Sequence, residues 1–212
     1  MVKISPSILS CDFANMQQDI ETIANDAEYL HIDVMDGVFV NNISIGIPVV
    51  KALRPHFKNV FDTHLMIVNP IKYVKQFASA GADIITFHLE ACDNQMEVID
   101  LIHSCGVNAG ISIKPGTPIE EITPFLDRVE LILVMSVEPG FGGQGFIDSA
   151  LGKIKWLKDM KEHHGYNYEI EVDGGINEKT GLLCKECGAE VLVSGSYIFK
   201  ALNRKEAINS LR

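Results

Sequence analysis

Three short segments of this chain concentrate imidazoles and carboxylates beside methionine or glycine: His31-Ile32-Asp33-Val34-Met35-Asp36-Gly37, Asp62-Thr63-His64-Leu65-Met66 and Glu171-Val172-Asp173-Gly174-Gly175. Side chains alternate along extended backbone, so His31, Asp33 and Met35 share one face, as do His64 and Met66, and Ile32 and Val34 turn the other way. A lone His-x-Asp is usually a satisfied polar contact, because buried charges are rare. His31, Asp33, His64 and Asp173 together are a different matter if the fold brings them to one mouth. Two carboxylates there would repel as bare anions, and with two imidazoles they suit one divalent cation that accepts nitrogen and oxygen ligands. Zinc comes first, with iron(II), manganese and cobalt as alternatives. The competing account is two unrelated hydrogen-bonded pairs in a core.

Further along, three glycine-bearing loops follow one another: Glu138-Pro139-Gly140-Phe141-Gly142-Gly143-Gln144-Gly145-Phe146, Asp173-Gly174-Gly175 and Ser194-Gly195-Ser196. Glycine lets backbone approach a ligand closely and frees N–H groups to donate, which suits a phosphate without any Arg or Lys. A carbonyl sugar phosphate beside a cation and two carboxylates suggests proton abstraction α to the carbonyl. With one aspartate on each substrate face, one removes a proton and the other returns it on the far side, inverting the stereocentre. Met35, Met66 and Met135 would wall off water around the developing anion, where the ordinary reading is flexible gap filling.

These residues need a scaffold that gathers them, and the chain has the cadence of one. Short apolar, β-branched runs at residues 3–9, 29–35, 60–66, 84–89, 108–113, 131–137, 168–172 and 190–193 predict eight strands. Helical patterns at 15–24, 48–53, 70–80, 94–104, 119–124, 149–163, 178–186 and 204–211 separate and follow them, with Pro48, Pro70 and Pro118 near starts and Gly81, Gly106 and Gly188 as stops. Eight β/α units without a GxGxxG after the first strand predict a single-domain α/β chain over residues 1–212, closed as a (β/α)8 TIM barrel. Chemistry in such a barrel sits at strand C-terminal ends, and phosphates sit on the loops after strands seven and eight, beside a short extra helix that residues 196–199 would supply.

The 212 residues carry a net charge of −10 with no dense basic run, which argues against nucleic acid or anionic membrane as partner. Five cysteines, an odd number in a chain too large to need staples, point to reduced thiols and a cytoplasmic setting. The first nine residues do not read as a signal peptide, and no stretch approaches the length of a membrane span.

The runs Ser5-Pro6-Ser7-Ile8-Leu9, residues 31–40, His64-Leu65-Met66, residues 137–144, residues 172–176 and Ser194-Gly195-Ser196 closely resemble the ribulose-phosphate 3-epimerase family, in the same order and over essentially the whole chain. The resemblance implies a ribulose-phosphate-binding (β/α)8 barrel that interconverts D-ribulose 5-phosphate and D-xylulose 5-phosphate through a 2,3-enediolate. It also implies one divalent metal held by His31, Asp33, His64 and Asp173, with Asp33 and Asp173 as the acid/base pair. Substrate contacts fall on Ser7, His64, Gly142, Gly143, Gln144, Gly145, Asp173, Gly174, Gly175, Gly195 and Ser196, the methionine wall matches, and a homo-oligomer is expected. Two positions depart from the family: Asn41 stands where proline is usual, removing a φ restraint from the expected lid, and Tyr197 stands where a small residue is usual, beside the expected phosphate site.

Some features are set aside. Cys184-Lys185-Glu186-Cys187 lacks a second ligand pair and reads as structural thiols. His163-His164 complements a helix dipole. Glu90 is expected to pair with the Lys114 ammonium. The rival activities are the same epimerisation of D-allulose 6-phosphate and, more distantly, a lyase or decarboxylase, which needs an active-site lysine; a non-catalytic phosphate-binding protein is the remaining alternative.

Overall fold

In the computed structural model, which describes residues 2–212, every predicted strand forms. They are β1 (Lys3–Pro6), β2 (Tyr29–Met35), β3 (Val60–Met66), β4 (Ile84–His88), β5 (Asn108–Ile113), β6 (Leu131–Met135), β7 (Glu169–Asp173) and β8 (Val191–Ser194). All seven ladders are parallel, in the order β1-β8-β7-β6-β5-β4-β3-β2, and a parallel bridge between Ser7 and His31 closes the ring. The connecting helices are α1 (Met16–Glu21), α2 (Ile47–Leu53), α3 (Val74–Ala80), α4 (Gln95–Ser104), α5 (Ala150–His164), α6 (Glu178–Cys187), the short α7 (Ser196–Phe199) and α8 (Arg204–Ser210).

Local chemistry moves several boundaries. The first strand stops at Pro6 because Ser7 caps a 3-10 turn at Ile8–Ser10, its hydroxyl oxygen accepting the Leu9 N–H at 3.3 Å. The segment 70–80 is a 3-10 turn followed by α3, and the connection after β5 is a 3-10 helix over Ile119–Phe125. Pro124 lies inside that helix and lacks the N–H an α-helix would use. Gly81 and Gly188 end α3 and α6 at φ 109° and 117°, the left-handed conformation that removes the Cβ penalty. Asn177 starts α6 with a reciprocal capping box to Thr180.

Two-residue alternation divides the strands cleanly. Ile4, Leu30, Ile32, Phe61, Leu65, Ile85, Phe87, Ile111, Ile132, Val134, Ile170, Val172 and Leu192 pack outward under the helices as the main core. The opposite faces fill the barrel in layers. At the N-terminal end, Lys3 bonds Tyr29 and Glu169, and Tyr29 donates to Glu169 at 2.8 Å. Above them Ile84, Leu131, Leu133 and Val191 form an apolar plug, and toward the C-terminal mouth the interior turns polar.

Candidate active site

Register does most of the positioning. β2 and β3 pair His31 with Asp62, Asp33 with His64 and Met35 with Met66, while β6 and β7 pair Met135 with Asp173. The inward faces of β2, β3 and β7 therefore carry His31, Asp33, Asp62, His64, Glu171 and Asp173 into one group, buried except for the partly exposed Asp173. His31 Nε2 lies 3.4 Å from Asp33 Oδ1, 3.3 Å from His64 Nδ1 and 3.9 Å from Asp173 Oδ2, and His64 Nδ1 lies 3.2 Å from Asp33 Oδ1. One ligand atom from each of these four residues lies within 4.8 Å of the others.

That spacing fits a cation. Four atoms held at zinc-like distances in a tetrahedron sit about 3.4 Å apart. The donor set is mixed imidazole and carboxylate, suited to several first-row divalent ions. Charge argues the same way, since four acidic side chains share a buried interior with one imidazole that favours the charged form. Burial opposes a charge on His31, but Asp62 and Asp33 outweigh it and raise the imidazole well above its usual range. Burial would likewise raise Asp33; His31 and His64 overcome that and hold its carboxyl far below the ordinary range. Burial and the charge of Asp33 push Asp173 up to about 7.

A second layer fixes the first. His31 Nδ1 is hydrogen-bonded to Asp62, which leaves Nε2 aimed at the ligand cluster. Glu171 lies 3.9 Å from the same His31 nitrogen, its two oxygens accept no hydrogen bond among the described residues, and burial together with Asp62 pushes its carboxyl well above the usual range. Asp33 accepts from the Ser7 hydroxyl at 2.6 Å. Ser136 donates to the backbone oxygens of Asp173 and Gly174 at 2.9 and 2.7 Å, holding the end of β7. Asp62 and Glu171 escaped the sequence reading, although each stands two residues before an assigned ligand and so shares its face.

Above the cluster opens a cavity of about 360 Å³. Asp33 and Asp173 reach its wall, as do Met35, Met66 and Met135, each at most 3% exposed. Ser7, Gly142, Gly143, Gln144, Gly174, Gly175, Gly195 and Ser196 line it too. His31 and His64 do not; both are fully buried beneath the floor, so His64 reaches the donor cluster but not the cavity wall. Gly145 also falls outside the wall. Gln144 turns its amide back onto its own loop, donating to the Glu138 and Phe141 carbonyls at 2.6 and 2.8 Å, so it shapes the loop.

The glycines differ in why they are glycine. A Cβ on Gly175 (φ 64°) would lie 2.6 Å from the Phe146 nitrogen, so this residue lets the loops after β6 and β7 touch. Gly143 has open space where a side chain would project. Lys200, missed from sequence, brings the only ammonium to the wall among the described residues. The Tyr197 hydroxyl is occupied by Ser210 at 2.9 Å.

The loop after β2 is braced despite Asn41. Asp36 accepts the N–H groups of Val38, Phe39 and Val68, each at 2.8 Å, and Asn42 donates to the Gly140 carbonyl at 2.8 Å, tying this loop to the one after β6. The expected Glu90–Lys114 ion pair does not form. Glu90 accepts the Lys114 backbone N–H at 2.9 Å, while the ammonium lies over the Phe39 ring, 3.9 Å from its centre. The five cysteines are free thiols, and burial pushes Cys184 up to about 12, in keeping with a structural role.

Fold and site together define a (β/α)8 barrel with a buried imidazole–carboxylate centre beneath a glycine-lined cleft at its C-terminal mouth. The chain belongs to the ribulose-phosphate 3 epimerase family, whose model matches residues 3–199. It is 47% identical to the ribulose-phosphate 3-epimerase of Bacillus subtilis, covering 100% of this chain and 99% of that one. It is 45% identical to the cytoplasmic isoform of Oryza sativa, covering 99% and 92%. Among solved structures, KGPDC from Streptococcus mutans superposes with a TM-score of 0.73 at 17% identity, over 100% of this chain and 95% of that one, a likeness of fold. No helix among the described residues is long and apolar enough to cross a membrane.

Proposed function

We propose that the protein is a metal-dependent ribulose-phosphate 3-epimerase, exchanging the C3 proton of D-ribulose 5-phosphate and D-xylulose 5-phosphate. The observation that carries the reading is that Asp33 and Asp173, from β2 and β7, both line the cavity and also belong, with His31 and His64, to a donor set fit for a cation. His31, Asp33, His64 and Asp173 would hold the ion, zinc first among the candidates. When bound, a divalent cation held there would supply positive charge to stabilise a developing enediolate.

The remaining work belongs to the chain. One aspartate takes the C3 proton while the other, on the opposite substrate face, delivers one, and in the reverse direction they exchange roles. The two carboxylates differ in their surroundings, Asp33 lying against His31 and His64 and accepting from Ser7 while Asp173 is the more open to the cleft, as suits two groups that take opposite parts in a proton exchange. The methionines keep water from the reacting carbons. Glycine backbone of the loops after β6, β7 and β8 takes the phosphate, with Gly143 leaving room and Lys200 adding charge at that end.

A lyase reading lacks a strand-end amine beside the carboxylates, since Lys114 is engaged with Phe39 and stays off the wall, and Lys200, which does reach the wall, comes from the end of α7. The reading further takes residues 1–212 as one catalytic domain, acting in the cytoplasm, as the rice relative's name suggests, and as a homo-oligomer. Exposed Val38, Ile43 and Val68, gathered around Asp36 and Gly37, support self-association, which sedimentation would test. The decisive experiment is proton NMR in deuterated buffer with D-ribulose 5-phosphate and, in parallel, D-allulose 6-phosphate. Deuterium entering C3 as xylulose 5-phosphate appears, faster than on the six-carbon ketose, is expected. No C3 exchange on either substrate overturns the assignment.

A further inference from the structure

The cluster has an outward continuation that the acid/base pair does not use. His64 turns Nδ1 toward Asp33 and His31, and its other nitrogen, Nε2, lies 2.9 Å from Nε2 of His88, with both rings fully buried. Two ring nitrogens at that distance share one proton, and the far side of each ring decides which of them owns it. For His64 to offer a lone pair to a cation through Nδ1, the neutral ring must carry its proton on Nε2. His88 Nε2 is then the acceptor, and the proton of neutral His88 belongs on Nδ1.

That nitrogen lies 3.3 Å from Glu90 Oε2, close enough to feel its charge, and is otherwise orphaned: it makes no hydrogen bond of good geometry among the described residues. Glu90 is itself anchored, its Oε1 accepting the Lys114 N–H at 2.9 Å and the Thr117 hydroxyl. Lys153 locks the same loop, donating to the carbonyls of Lys114, Pro115 and Thr117 at 2.9, 2.9 and 2.6 Å. Phe39, from the loop after β2, packs on the His88 ring with centroids 4.8 Å apart.

We infer that His88 and Glu90 are positioning residues: the chain Glu90–His88–His64 selects the one His64 tautomer that can bind a cation through Nδ1 and holds its ring in place. The inference rests on His64 being a ligand of the proposed centre. It assigns His88 the Nδ1–H tautomer, with the order of donors running from His64 to His88 to Glu90.

The test needs no variant to begin. Long-range proton–nitrogen correlation spectra of 15N-labelled wild-type protein, loaded with Zn²⁺, are expected to place the His88 proton on Nδ1 and the His64 proton on Nε2. His88 found as the Nε2–H tautomer, or doubly protonated, overturns the inference. In parallel, Co²⁺ dissociation constants are measured by chelator competition, with the cobalt visible spectrum and the melting temperature of stripped protein recorded for each variant. His88→Phe is expected to weaken Co²⁺ binding by about 10–100-fold and alter the spectrum while the stripped protein still melts cooperatively. Unchanged affinity in folded His88→Phe refutes the relay. If that variant does not fold, Glu90→Gln carries the same expectation, because its amide cannot accept from His88 and from Lys114 and Thr117 alike. Wild-type protein that takes up neither ion defeats the metal reading and this one with it, whereas normal uptake with the wrong His88 tautomer defeats this one alone.

Discussion

Replacing Asp173 by Asn separates the catalytic role proposed for this carboxylate from its cost to the fold. Asn keeps the shape and an oxygen but removes the charge that Asp33 repels. Burial and Asp33 raise Asp173 from an ordinary value of 3.8 to about 7, a difference equivalent to about 4 kcal/mol at most. Because 18% of the side chain remains open to solvent, about 1–3 kcal/mol is the realistic range. A carboxylate whose folded value is raised binds its proton more tightly in the native state, so wild-type stability falls as pH rises from about 4 to about 7 and the full penalty applies above that. Chelator-stripped Asp173→Asn should therefore melt higher than stripped wild type at pH 8, by roughly 2–10 °C at this chain length, with the gap closing toward pH 4. The same variant should lose 10²–10⁴-fold in epimerisation, about 3–5 kcal/mol of barrier, since one of two proton carriers is gone. Differential scanning fluorimetry across pH and C3 exchange by NMR measure the two effects. A stripped variant that melts below wild type at pH 8 would refute the repulsion argument, and near-normal turnover would refute the two-base assignment.

Chelation should abolish activity and a divalent ion should restore it. Because Asp62 and Asp33 overcome burial to keep His31 protonated in stripped protein, metal uptake at neutral pH should release protons. Affinity should then weaken about tenfold per pH unit on acidification for each proton displaced, as calorimetry in buffers of different ionisation enthalpy would show. Gly175→Ala places a Cβ 2.6 Å from the Phe146 nitrogen at φ 64°; the expected cost is about 1–3 kcal/mol in a denaturant melt, with KM for the sugar phosphate rising more than kcat falls as the loop after β6 is displaced. Tyr197→Phe removes only the bond to Ser210, so about 0.5–1.5 kcal/mol of stability should go while KM stays within twofold of wild type.

Sequence alone determined the repeat and named most of the residues that the fold gathers at the cleft. Eight runs of two-residue alternation between helical segments left closure as the economical way to bury every strand, and the same alternation put His31, Asp33 and Met35 on the inward face. Glycine spacing marked the loops that build the cleft, where Gly140, Gly143, Gly174 and Gly175 take positive φ and Gly195 packs close against Ser10. Element boundaries were less legible, since Ser7 caps its turn through a local hydrogen bond and Pro124 withholds an N–H, and periodicity registers neither. What needed the tertiary structure was the company each residue keeps. Gly145 and Gln144 stand in the right loop, yet one lies off the wall and the other bonds its own backbone. Asp62 and Glu171 look like strand interior until the closed barrel sets them one step below His64 and Asp173, and His88, at the end of β4, meets the His64 ring only once β3 and β4 pair. Glu90 is drawn to the Lys114 backbone rather than its ammonium because the loop after β5 turns its N–H inward and leaves the side chain on Phe39. Sequence spacing fixes which way a side chain points along one strand, but distance between strands, and with it charge coupling and proton placement, exists only once the barrel has closed.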